Sequence, residues 1–103
     1  MENTLKNISD IIETYESGVW VSVENLRVML RELSSNYYFL TKYNIESFNR
    51  WNTIVYESNG SVNRSEIEAH KQVPELRLTR KILIATSKVI DSMRSELSII
   101  KND

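Results

Sequence analysis

The side chains of this sequence that could do chemistry are one histidine and a group of basic residues close to aromatic ones. His70 is the only histidine, and Glu66 stands four residues before it, on the same side of a helix. One histidine and one carboxylate fall short of the ligand set of a protein metal site. The chain has no cysteine, no Ser/His/Asp grouping and no glycine-rich phosphate loop. The sequence therefore predicts a protein that is not an enzyme and holds no metal or cofactor.

Binding of phosphates and bases is the second chemistry that the residue types indicate. The formal net charge is −1, but residues 64–88 hold six basic side chains against three acidic ones, and seven of the nine aromatic residues lie just before them, between Tyr37 and Tyr56. Basic side chains attract phosphates and aromatic rings stack on unpaired bases. The alternative is that the charges are the solvated face of a helix and that Trp51 is a core residue. The candidate nucleic-acid-binding residues are Arg50, Trp51, Tyr56, Arg64, Lys71, Arg77, Arg80, Lys81 and Lys88.

Helices must position these side chains, because only two glycines and one proline interrupt the 103 residues. Apolar residues recur at steps of three and four from Leu26 to Leu40, which is the seam of one helix face. The seam breaks at Asn44 and Ser47. It resumes with its spacing shifted by one residue, which predicts that the apolar stripe rotates around the helix. The residues of this second stripe are Ile45, Phe48, Trp51 or Asn52, and Val55.

The order of elements follows from caps and breakers. Residues 1–23 are predicted to form a short helix and an extended connector anchored by Trp20, and residues 24–57 a long helix with Ser22 as its N-cap. A loop at 58–63 leads into residues 65–101. There the S-x-x-E pattern at Ser65 predicts a short helix, and Pro74 predicts the start of a long final helix. All of this forms one domain, 1–103.

The predicted fold is therefore all-α: an antiparallel hairpin of two long helices plus a short N-terminal helix, in an oligomeric bundle. The apolar face of the last helix is too broad for a simple two-stranded coiled-coil seam, which predicts that it serves both the hairpin and a neighbouring subunit. The sequence has neither a membrane span nor a signal peptide, which predicts a cytoplasmic protein. The predicted oligomer interface contains Leu83, Ile90, Met93, Leu97 and Ile100.

Three short patterns resemble the UvsY-type recombination mediators of tailed phages. They are W-x-x-x-x-Y-x-x-x-G at Trp51, Tyr56 and Gly60, VPEL at residues 73–76, and VIDSMRSELSIIK at residues 89–101. The resemblance covers residues 37–101. It implies a homo-oligomer in the host cytoplasm that binds single-stranded DNA and helps to load a recombinase. It also makes Trp51, Tyr56, Lys71 and Lys101 the first positions to test for DNA contact, and it implies that the last helix builds an oligomeric ring.

Two hypotheses of different classes follow from the sequence. The first is a homo-oligomeric mediator that binds single-stranded DNA and has a recombinase as its protein partner. The second is a protein-binding helical module without nucleic-acid affinity, such as a phage structural or host-defence-inhibiting protein. The acidic N-terminal half, the broad apolar faces and the small net charge favour this second hypothesis.

Overall fold

A computed structural model describes residues 1–19, 21–57, 60 and 62–102, with the side chains of residues 62, 101 and 102 outside that description. This part of the chain forms four helices and no strand: α1 (Glu2–Glu16), α2 (Val23–Glu57), α3 (Val62–Gln72) and α4 (Glu75–Asn102). The long helices α2 and α4 pack on each other. The predicted all-α hairpin is therefore confirmed. The radius of gyration of the chain is 17.7 Å, whereas a compact domain of this length has about 13 Å. The hairpin is therefore elongated and rod-shaped.

Local residue chemistry explains where the helices begin and end. Gly18 follows α1 with a φ of 76°, a left-handed conformation that suits glycine. Ser22 is the N-cap of α2, as predicted, because its Oγ accepts a hydrogen bond of 3.2 Å from the backbone N–H of Asn25. Pro74 stands between α3 and α4, directly before Glu75. The predicted anchor Trp20 lies outside the described residues.

The start of α3 differs from the prediction. The helix begins at Val62, and Ser65 lies inside it with only 3% of its surface exposed. The S-x-x-E interpretation is wrong, because a serine inside a helix is no longer at the N-cap position, where its hydroxyl could bond a free backbone N–H. Residues 62 and 63 of the predicted loop at 58–63 therefore belong to α3, and residues 58, 59 and 61 of that loop lie outside the described residues.

The hydrophobic core lies where α1, α2 and α4 meet. Leu26, Leu33 and Leu40 of α2 repeat every seven residues and are all buried, which confirms the first predicted seam. They form one cluster with Ile8 of α1 and with Val89, Ile90 and Met93 of α4. At the far end of this cluster, burial raises the pKa of the Tyr15 phenol, and the neighbouring Glu96 carboxylate raises it further. The last turn of α1 therefore lies beside the C-terminal half of α4.

The predicted rotation of the apolar stripe does not occur, since α2 is continuous and the same face stays inside beyond Leu40. Ser47 is fully buried and Trp51 half-buried, whereas Ile45 and Phe48 are 55% and 38% exposed. Polar side chains can take the inner positions because they find partners across the hairpin. Asn44 Nδ2 donates to Thr79 Oγ1 at 2.7 Å, and its distance to the Leu76 carbonyl oxygen is 3.4 Å.

The Asn44 to Thr79 hydrogen bond fixes the register of α2 on α4, and its removal should be measurable. A double-mutant cycle of Asn44→Ala and Thr79→Val is expected to give a coupling of about 0.5–1.5 kcal/mol in the free energy of unfolding, the usual net value of one hydrogen bond. Denaturant titrations of the four proteins measure it. Asn36→Ala paired with Thr79→Val is the control and should show additivity, because Asn36 bonds only within its own helix. If the effects on the free energy of unfolding were additive in both cycles, the register of α2 on α4 described here would be contradicted.

The structure also places the predicted oligomer-interface residues. Ile90 and Met93 are 6% and 0% exposed and belong to the intramolecular core, and Leu83 and Leu97 pack partly against it. Only Ile100 is largely exposed, at 44%. Most of the predicted interface of α4 therefore packs against α1 and α2 of the same chain. None of the helices, within the part of the chain that is described, has an apolar stretch long enough to cross a membrane.

Candidate nucleic-acid interface

Aromatic and basic side chains meet at the end of the hairpin where α2, α3 and α4 converge. Phe48 and Trp51 are one turn apart on α2, and their rings are stacked with centroids 5.8 Å apart and an interplanar angle of 20°. The Arg80 guanidinium carbon of α4 lies 5.7 Å from the centroid of the Phe48 ring, within cation–π range. Helix α4 therefore supplies a cation to a half-exposed aromatic ring of α2.

Trp51 is the inner member of this group. Its ring is half-buried, and it lies 5.5 Å from the His70 ring of α3, measured between centroids and tilted by 45°. Trp51 Nε1 and His70 Nδ1 are both buried, without a hydrogen-bond partner among the described residues. The indole N–H is thus turned into the protein. Trp51 packs α3 against α2, and Phe48 is the ring of the pair that reaches solvent.

Arg50 is held away from Phe48. It follows Phe48 by two residues, which places it about 200° further around α2. There it forms an ion pair with Glu75 of α4 and donates a weaker hydrogen bond of 3.4 Å to Ser47 Oγ. Since its charge is already matched by a carboxylate on another side of the helix, Arg50 is separated from the site around Phe48.

Tyr56 is the most exposed aromatic residue among those described, with 88% of its surface accessible. It lies eight residues beyond Phe48 on the same helix, which is about 12 Å along the axis and about 80° around it. Both ring positions are thus open to solvent at the loop end of α2. A single strand at its extended spacing could reach from one ring to the other.

The remaining predicted cations are all exposed but do not share one face. Arg80 and Lys81 are neighbours in sequence, so they point about 100° apart, and Lys88 lies two turns after Lys81 on that second side. Lys71 is near the end of α3. Arg64 is near the start of α3 and packs beside Gly60. A Cβ atom added to Gly60 would lie 3.1 Å from Arg64 Cδ. The exposed positions are Arg64, Lys71, Arg77, Arg80, Lys81 and Lys88; the side chain of Lys101, which the resemblance implicates, lies outside the description.

A shallow groove of about 480 Å³ opens beside Arg50, between the second half of α2 and the end of α3. Its polar lining includes Asn49, Thr53 and Gln72. These amide and hydroxyl groups are uncharged, and groups of this kind can form hydrogen bonds with phosphates and with the edges of bases. The groove is on the Arg50 side of α2, so it is separate from the Phe48 ring.

Two contacts of this site were not predicted. The sequence predicts Phe48 within an apolar stripe rather than beside a cation, and it predicts no packing partner for His70. The i, i+3 spacing of Phe48 and Trp51 is the one sequence signal for the first contact. No local pattern signals the second, since it depends on how α3 folds back onto α2.

Among the described residues, no three His, Cys, Asp or Glu side chains come together as a metal ion would require. Comparison with family models, with curated proteins and with solved structures finds no match for this chain.

Proposed function

We propose that this protein binds single-stranded DNA at the loop end of its hairpin, as a homo-oligomer that assists the loading of a recombinase. The observation that carries the proposal is the Arg80 guanidinium 5.7 Å from the centroid of the half-exposed Phe48 ring. A ring and a cation at this separation fit one nucleotide, because the base stacks on the aromatic face while the guanidinium bonds a phosphate.

Binding would exchange one partner of Arg80 for another. In the free protein the guanidinium contacts the Phe48 ring; when a base takes its place on the ring, the guanidinium moves to the neighbouring phosphate. Tyr56 offers a second ring for a following base, and the exposed Lys71 and Arg77 add attraction that does not depend on sequence. The strand must be unpaired, since the faces of paired bases are covered by their neighbours.

Salt dependence tests the proposal. Anisotropy of a labelled single-stranded oligonucleotide is expected to show an affinity that falls steeply with salt, with a slope of log K against log salt of about −2 to −3 for three or four phosphate contacts. A duplex of the same sequence should bind more weakly at every salt concentration. Binding that ignores salt, or no binding at all, would contradict the proposal, as would an equal affinity for the duplex.

A protein-binding module is the second candidate, and one observation favours it. Tyr38, Phe39 and Ile45 of α2 are 65%, 54% and 55% exposed, and neither aromatic ring has a cation–π partner in the described part of the chain. Exposed apolar side chains grouped on one helix suit a protein partner. Under this hypothesis, Tyr38→Ser with Ile45→Ser would abolish capture of the partner. Deleting residues 1–23 is a poorer test, because buried Ile8 belongs to the core.

A further inference from the structure

The outer face of α4, opposite its buried side, carries one exposed apolar side chain among cations. Ile84 is 61% exposed. Arg77 and Lys81 stand seven and three residues before it and Lys88 four residues after it, so all three lie within about 60° of it around the helix. The three cations are exposed, and none of them forms an ion pair within the described part of the chain.

Carboxylates lie only at the edges of this face. Glu75, at the start of α4, forms the ion pair with Arg50, and the next acidic residue of the helix is Asp91. On α1, Glu13 and Glu16 belong to the last turn, which lies beside the C-terminal half of α4. The face around Ile84 therefore has an excess of positive charge that the chain itself does not balance.

We propose that this face binds a short acidic segment of another protein, in which one apolar side chain has a carboxylate on each side of it. The apolar side chain covers Ile84, and the carboxylates pair with Lys81 and Lys88. The spacing fits an extended peptide. The two lysine positions lie about 4.5 Å and about 6 Å from Ile84 along the helix axis, and side chains two residues apart in an extended chain are about 7 Å apart on the same side. The flexible lysine side chains cover the difference.

Single-stranded DNA and an anionic membrane also attract cations, but neither matches Ile84. An isoleucine gives no aromatic face on which a base could stack. A membrane-bound helix inserts a continuous apolar face, and that of α4 is buried within the bundle, at Ile90 and Met93 among others. The face is also distinct from the DNA site proposed above, because Arg80, one turn before Ile84, is directed to the Phe48 ring.

A labelled peptide with a central leucine and an aspartate two residues to either side tests this binding by fluorescence anisotropy. The wild-type chain is expected to bind it, with an affinity that falls as salt rises. Lys81→Glu/Lys88→Glu should weaken binding by tenfold or more, because two attractions become repulsions. A peptide with lysines in place of the aspartates should show the reverse preference and bind the doubly substituted chain more tightly than the wild type.

Two isoleucines of α4 separate the apolar contact from the charges. Ile84→Ser is expected to weaken peptide binding by fivefold or more, because the apolar contact is lost. Ile99→Ser is the matched control and should leave the affinity unchanged within about twofold. Ile99 is 64% exposed on the same helix, but Ser95 and Glu96 occupy the preceding turn beside it. Serine and isoleucine have similar helix propensities, so both variants should fold.

The same proteins distinguish the three kinds of partner. Binding to phosphatidylglycerol vesicles but not to the peptide would assign the face to a membrane and overturn the proposal. So would an Ile84→Ser variant that loses affinity for single-stranded DNA as strongly as for the peptide. Absence of peptide binding, or equal losses in Ile84→Ser and Ile99→Ser, would also contradict it. Peptide binding without DNA binding contradicts only the DNA site.

Discussion

Replacing Leu33 by alanine is expected to lower the free energy of unfolding by about 2–5 kcal/mol, the range for a buried leucine that leaves a cavity. Leu33 is 0% exposed and lies at the middle of the buried seam from Leu26 to Leu40. Its side chain belongs to the cluster to which α1, α2 and α4 all contribute. A rod-shaped chain of 103 residues has a small core, so this loss is a large share of its stability.

Chemical denaturation followed by circular dichroism measures this change. Val28→Ala on the same helix is the matched control, because Val28 is 46% exposed and its change should stay within about 0.5 kcal/mol. Similar small effects for both variants would mean that Leu33 does not lie inside the bundle. A large effect for Leu33 alone supports the α2 to α4 pairing on which every placement of the site depends.

Replacing Tyr56 by alanine is expected to weaken binding of single-stranded DNA by about 5- to 150-fold, which corresponds to the ~1–3 kcal/mol of one base stacked on an aromatic ring. The ring is 88% exposed, so the substitution should leave the folded structure intact. The salt slope should stay unchanged, because tyrosine carries no charge to a phosphate. A lower affinity at an unchanged slope therefore separates stacking from phosphate attraction.

Tyr38→Ala is the matched control for this prediction. Tyr38 is on the same helix and 65% exposed, but it lies 18 residues earlier, about 27 Å along the axis. Its loss should leave DNA affinity unchanged within a factor of about two. If both variants weaken binding equally, the strand follows the whole of α2 rather than its loop end. If neither does, stacking at Tyr56 is wrong.

Much of the fold could be predicted from sequence because it depends on local patterns. The seven-residue repeat of Leu26, Leu33 and Leu40 shows which face is buried, and Ser22 and Gly18 mark helix ends through their own chemistry. The prediction failed at Asn44 and Ser47, where polar residues occupy inner positions. Asn44 is acceptable there because Thr79 lies across the hairpin at hydrogen-bond distance, and no pattern within α2 contains that information.

The candidate site likewise combines features that local sequence patterns predict with contacts between helices that they do not predict. The sequence places aromatic residues before a basic segment, but it does not show which cation meets which ring. Arg50 is nearer to Trp51 in sequence, yet Glu75 holds it on another side of α2, while Arg80 comes to Phe48 from a different helix. Such contacts depend on the rotation of α4 relative to α2, which packing of the whole bundle decides.

Stacking of unpaired bases on the exposed rings at the loop end can be tested by comparing two strands that differ only in their bases. The affinity of the wild-type chain is measured for a single-stranded oligonucleotide and for an abasic strand of the same length and charge, at one salt concentration. Stacking on these rings should make binding of the strand with bases tighter by tenfold or more, and this preference should be smaller in Tyr56→Ala. Equal affinity for the two strands, or binding of neither, would contradict it.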